Sequence, residues 1–259
     1  MNVLRLAKGV LGLSGGVGDL PLIIDTSKHN GKLTAEMLRA VKCVYLIARS
    51  GISWGYKDPL FDYYRALAAE MDIPFSAYHV IYPSQDPGAQ WENAARIITN
   101  DPGPTRVPVW VDLELHQNQS PQRIADVTWR FAELCQKEWG GEKGIYSRTT
   151  FVDWYMRGCG WLNEAWWWLA QYLHSGLEHP GPYTVPQGLD RDRVLFQQTS
   201  HKGKLPGHHG DVDLNRWLQD EKTFAWLTGG YGFGDELSLE VKVERLVAAH
   251  PELFPEIYG

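Results

Sequence analysis

The chain has only three cysteines in 259 residues, an odd number with no Cys-x-x-Cys pair. Cys43, Cys135 and Cys159 therefore offer neither a disulfide framework nor the spacing of a zinc site, and read as small buried hydrophobes. Positive charge is also short: 25 Lys and Arg stand against 31 Asp and Glu, for a net charge of -6. That balance gives no electrostatic footprint for nucleic acid or for an anionic membrane surface. No apolar run reaches the length of a membrane span. Arg5 and Lys8 precede the apolar stretch Val10 to Leu13, but it is short and runs into Ser14-Gly15-Gly16, a poor signal peptide. With 22% charged and 44% hydrophobic residues the chain is not of the disordered class. Its length admits one barrel-type domain or two ordinary ones.

Aromatic residues are what the chain has in excess, with twelve Trp and twelve Tyr. Aromatic faces stack on sugar rings, and they also fill large cores, so the count alone fits both.

Eight apolar segments recur along the chain, and most of them alternate with helical patterns. The strands are read at 20–27, 43–49, 75–82, 107–115, 143–147, 166–172, 194–200 and 212–217. Helices are read at 34–40 with Thr34 as cap, at 59–71, at 87–99, and from Ser120-Pro121 to about Trp139, with a terminal helix after 217. Near-continuous apolar strands in strand–helix units predict a parallel sheet covered by helices, and about eight of them predict closure into a barrel. Residues 1–19 read as an N-terminal arm interrupted by Gly12, Gly15, Gly16 and Gly18. Residues 20–228 read as the barrel, and 229–259 as a Gly-rich linker with a C-terminal helix.

In such barrels chemistry collects at the carboxyl ends of the strands, and the strand ends here are polar. Asp25 ends the first, Tyr78-His79 the third, Asp112 and Glu114 the fourth, Gln197-Gln198 the seventh, while Tyr146 and Tyr172 close two more and Asp213 lies in the last. Asp112 and Glu114 are spaced i, i+2, which puts both on one side of their strand. Alone, such a pair is either a structural strand end or the two carboxylates that glycosidic-bond hydrolysis needs. Glu114 is the better acid of the two, because it is nearer the mouth, has the longer side chain, and has negative neighbours that favour its protonated form. Asp25, followed by Thr26-Ser27, also fits a turn organiser. Asp211-Val212-Asp213-Leu214-Asn215 has a calcium-like spacing without the downstream Gly and Glu of such a loop. His201 and His208-His209 belong to no zinc motif and read as loop histidines, so no metal and no cofactor is expected. Of Trp166 to Trp168, Trp167 faces opposite to its two neighbours.

Seven segments in order carry a resemblance: Asp25-Thr26-Ser27-Lys28-His29-Asn30-Gly31, Ala77-Tyr78-His79, Val111-Asp112-Leu113-Glu114, Ile145-Tyr146-Ser147, Trp168-Leu169-Ala170-Gln171-Tyr172, Phe196-Gln197-Gln198-Thr199-Ser200, and Val212-Asp213-Leu214-Asn215. Over residues 20–220 the chain resembles the glycoside hydrolase family 25 lysozymes, the N-acetylmuramidases of phage endolysins, bacterial autolysins and some fungi. The resemblance implies an irregular, flattened (β/α) barrel without cofactor. It also implies hydrolysis, with retention, of the β-1,4 bond between N-acetylmuramic acid and N-acetylglucosamine in bacterial peptidoglycan. Carried over, it makes Glu114 the general acid/base, with Asp25, Asp112 and Asp213 completing the acidic site, and Tyr78, Tyr146, Trp168, Tyr172 and Gln198 positioning substrate. Ala77 stands where the family has Gly, and Gln198-Thr199-Ser200 where Gln-Tyr-Ser is usual. Neither departure removes an acid.

Two other classes are a non-catalytic glycan-binding barrel, which would lose one or more of the acids, and a glycosidase acting on chitin-like polymers. The poor signal peptide leads to the expectation of an enzyme made in a host cytoplasm and released to the cell wall, or carried on a virion. From Glu236 to His250, Leu239, Val243, Leu246 and His250 form a narrow apolar stripe. It fits a helix docked on the barrel or a tether for self-association or another component.

Overall fold

The computed structural model describes residues 20–98, 106–181 and 183–233. The expected arm at 1–19, the Asp101-Pro102-Gly103-Pro104 link, and the C-terminal helix with its docking or self-association role lie outside the described residues.

Eight strands close into a barrel: β1 (Leu22–Thr26), β2 (Cys43–Ile52), β4 (Phe75–Val80), β5 (Trp110–Asp112), β6 (Gly144–Arg148), β7 (Trp166–Ala170), β8 (Val194–Gly203) and β9 (Val212–Trp217). A two-residue strand β3 (Tyr56–Lys57) forms a hairpin on the end of β2, and β1 pairs with both β2 and β9 to complete the ring. The expected barrel is there, with one correction: β9 runs antiparallel to both β8 and β1. The connection from β8 to β9 spans only residues 204–211. A parallel crossover needs a dozen or more residues, so the chain turns back as a hairpin. The 107–115 run also pairs over less of its length than expected, Trp110–Asp112 alone. Pro108 has no N–H to give to a ladder.

The helices are α1 (Ala35–Ala40), α2 (Phe61–Met71), α3 (Pro87–Ile98), α4 (Pro121–Trp139), α5 (Thr149–Tyr155) and α6 (Glu221–Thr228). Thr34 and Ser120 cap α1 and α4 through their side chains, as the sequence predicts, and Pro121 opens α4. Among the described residues no α-helix stands between β7 and β8, where a long loop carries the chain. The barrel is therefore irregular and sheathed unevenly.

Strand alternation sorts the apolar side chains into two cores. Leu22, Ile24, Leu46, Val111, Ile145, Trp167 and Leu169 face the helices. Ile23, Tyr45, Ile47, Trp110, Trp168, Phe196 and Trp217 fill the barrel, and Phe224 and Leu227 of α6 plug its lower end. An eight-stranded barrel has an interior that side chains can fill, and here aromatic rings fill it: Trp110 and Trp168 pack on Phe196 with centroids 4.9 and 5.3 Å apart. Much of the aromatic excess is thus core. At the upper end of β2, Gly51 lies against the hairpin so closely that an added Cβ would sit 2.1 Å from the Tyr56 carbonyl oxygen.

Candidate active site

The same alternation that buries Ile23 and Trp110 in the barrel carries the next inward positions, Asp25 and Asp112, to its upper rim. Both are buried. Glu114 continues the inward series beyond the last paired residue of β5 and reaches the mouth, where it is partly exposed. Asp213 arrives from the opposite direction: because β9 is antiparallel, its first residues are the ones at the mouth, and Asp213 is the Cα partner of Asp25. All four acids line one open cleft of about 360 Å³, together with Tyr78, Tyr146, Trp168, Tyr172 and Gln198. Every site residue expected from the sequence is brought to this one place.

Asp25 is held by amides. Its Oδ2 accepts hydrogen bonds from Asn215 Nδ2 at 2.8 Å and from Gln198 Nε2 at 3.0 Å. Each amide is oriented in turn: Tyr146 Oη donates to Gln198 Oε1 at 2.8 Å, and Trp168 Nε1 donates to Asn215 Oδ1 at 2.7 Å. Trp168 is thus almost wholly buried with its N–H engaged, under the cleft rather than beside it. Directly after β1, Lys28–Asn30 forms a one-turn 3-10 helix capped by Ser27. From it Asn30 Nδ2 donates to the Asp211 carbonyl at 3.1 Å and to Asp213 Oδ2 at 3.5 Å. The turn is real, but its organisers are Ser27 and Asn30, while Asp25 points into the barrel.

Burial dominates the protonation of the three aspartates. It raises the Asp25 carboxyl to about 6 against the pull of Asn215 and Gln198, with Glu114 adding to the rise. Asp112 is pushed well above the ordinary carboxylate range by burial, then by the charges of Glu114 and Asp25. Asp213 is pushed the same way by burial and then by Asp25. Asp112 Oδ1 is buried and has no hydrogen-bond partner among the described residues.

Several residues at the site were not singled out from sequence. Arg148, the last residue of β6, places Nε 2.8 Å from Glu114 Oε1. It lies two positions beyond Tyr146 on the same face, so strand alternation could have found it. Asn215 was quoted only as part of a motif. His201 is not a loop histidine: it lies in β8, lines the cleft, and packs on Tyr172 with centroids 4.4 Å apart. Of the Tyr78-His79 pair only Tyr78 faces the cleft. His79 is buried between the sheet and α4, stacked on Phe131, with its ring nitrogens at 2.9 Å from Ser50 Oγ and 2.8 Å from the Ser53 carbonyl. Burial lowers it to about 4, so it sits neutral and anchors the hairpin. No cluster of metal-ligating side chains occurs among the described residues.

An α/β barrel with carboxylates converging from β1, β5 and β9 on one rim has the layout of a glycoside hydrolase. The family model of the glycosyl hydrolases family 25 matches residues 24–208, and the chain belongs to that family. Similar solved structures include the bacterial lysozyme from Streptomyces coelicolor, at 21% identity over 82% of this chain and 98% of that one, with a TM-score of 0.70. A family 25 lysozyme from Aspergillus fumigatus is 17% identical over 80% of this chain and 98% of that one, with a TM-score of 0.66. The CTP1L endolysin is 16% identical over 82% of this chain and 71% of that one, with a TM-score of 0.60. No curated protein matches the chain in sequence.

Proposed function

We propose that this glycoside hydrolase cleaves the β-1,4 bond between N-acetylmuramic acid and N-acetylglucosamine in bacterial peptidoglycan, with retention and with Glu114 as general acid/base. The observation that carries the proposal is the convergence of Asp25, Asp112, Glu114 and Asp213 in one open cleft. Glycosidic hydrolysis needs one group that delivers a proton to the leaving oxygen and then withdraws one from water. Glu114 suits that part, because it is the acid at the mouth while the three aspartates lie deeper or are tied to amides. Asp112 suits a different part: its unpartnered, buried oxygen points to a role in holding the substrate's own N-acetyl group for attack on the sugar carbon. Tyr78, Tyr172 and Gln198 line the walls around the bound sugar, with Tyr146 and Trp168 orienting the amides beneath it.

The family, and the presence of an endolysin among the similar structures, support a lytic role on bacterial walls. Within this proposal the enzyme is of phage type, released to the wall from a host cell or carried on a virion.

The test is digestion of purified peptidoglycan followed by mass analysis of the reduced products, for the wild type and Glu114→Gln. New reducing ends on muramic acid that vanish in the variant are expected. Release of peptides alone, or cleavage of chitin oligosaccharides without action on peptidoglycan, would overturn the substrate assignment. A glycosyl ester trapped on any aspartate would overturn the role given to Asp112.

A further inference from the structure

Glu114 and Arg148 meet at the mouth from neighbouring strands, and the pair is unlike the rest of the cleft. Arg148 is more than half exposed, and Glu114 is less so. Arg148 occupies the N-cap position of α5 but makes no capping hydrogen bond with its side chain, which goes to Glu114 instead. The groups that share the cleft with Glu114 are otherwise carboxyls, phenols, an indole, an amide and one imidazole. Asp25 of β1, Asp112 of β5 and Asp213 of β9 are carboxylates, and Tyr78, Tyr146 and Tyr172 are phenols. His201 of β8 completes the ring. Arg49, the nearby guanidinium on β2, is bound to Asp58 at 2.7 and 2.8 Å.

A charge-assisted bond to a guanidinium is short and directional, so it holds the carboxyl that accepts it. We infer that Arg148 is a positioning residue for proton transfer, which fixes the orientation of the Glu114 carboxyl at the mouth of the cleft. The inference rests on the reading of Glu114 as the general acid/base. Proton transfer needs the acid aligned within hydrogen-bond reach of the reacting oxygen, and a partly exposed side chain is held in that alignment when one of its oxygens is tied. The interaction is reciprocal: the charge of Glu114 is the largest influence on Arg148, holding its guanidinium protonated even more firmly than usual.

Rates on soluble peptidoglycan oligomers, read as new reducing ends, test this in the full chain. In Arg148→Gln kcat should fall by about tenfold or more, as expected when an acid that must be aligned is left free. Arg148→Lys should restore most of the wild-type kcat, and KM should stay within about twofold in both, as expected of a residue that does not bind substrate. Thermal unfolding of the variants checks that the fold is retained. An unchanged kcat in Arg148→Gln, with Glu114→Gln inactive, would overturn this inference and leave the assignment of Glu114 standing. A raised KM with an unchanged kcat would overturn it in favour of a substrate contact. Full activity in Glu114→Gln would overturn both.

Discussion

Asp25 and Asp213 are direct partners across the antiparallel β1–β9 ladder, two acids placed opposite one another at the rim of a barrel. Like charges in that position destabilise a sheet. Their coexistence depends on Asn215 and Gln198, which donate to Asp25, and on Asn30, which reaches Asp213.

The first prediction concerns pH and stability. Burial raises Asp25 from 3.8 to about 6 in the folded protein, so the native state binds a proton that the unfolded chain has already released. Between those two values stability falls as pH rises, and above about 6 this contribution is fully lost. Asp25→Asn removes that slope. The difference between wild type and variant, from denaturant unfolding at a series of pH values, should change by up to about 3 kcal/mol across the window, on the scale of 1.36 kcal/mol per unit. Parallel pH profiles would contradict the prediction.

A second prediction separates support from stacking at Trp168. Its indole N–H holds Asn215, which in turn holds Asp25. Trp168→Phe keeps a ring but leaves a buried acceptor without its donor, a loss of about 1–3 kcal/mol. Turnover should fall about tenfold with KM nearly constant, the pattern of an interaction felt in the transition state. A raised KM with unchanged turnover would instead make Trp168 a sugar platform.

Asp112 offers a third. Its carboxyl is buried, lacks a partner at Oδ1, and is pushed well above its ordinary range by burial and by Glu114. Asp112→Asn is close in shape and carries no charge, so the folded state should gain roughly 1 kcal/mol, or about 2–4 °C in Tm at this size. Hydrolysis should fall about a hundredfold or more, the opposite direction to stability, as expected where a site holds strain for function. Loss of both together would show that Asp112 is structural. Calorimetry and the reducing-end assay on the same preparation decide.

Much of this was legible in the sequence because strand ends and caps are local. Thr34 and Ser120 announce their helices, and the switch from apolar to acidic residues marks where β1 and β5 reach the rim. The direction of β9 was harder: its apolar pattern is the same either way, and only the short link 204–211 betrays the reversal. That reversal explains why Asp213, at the start of its strand, still reaches a rim built from strand ends. Arg148 was missed for a different reason. Strand alternation puts it on the inward face with Tyr146, but a charged residue at a strand end is commonplace, and only the distance to Glu114 on the neighbouring strand gives it significance. The aromatic count fitted a core as well as a sugar site, and the largest rings, Trp110, Trp167, Trp168 and Trp217, are buried.

The lower end of the barrel is closed by α6, and the chain beyond it stays there: Tyr231 reaches Asp72 at the end of α2, and Phe233 packs on Phe224. The described chain therefore leaves from the pole opposite the acids. The two ends of the barrel thus divide the work: α6 closes one, and the other stays open along a cleft. A polymer too large to diffuse is engaged from one side only, without having to pass through the barrel.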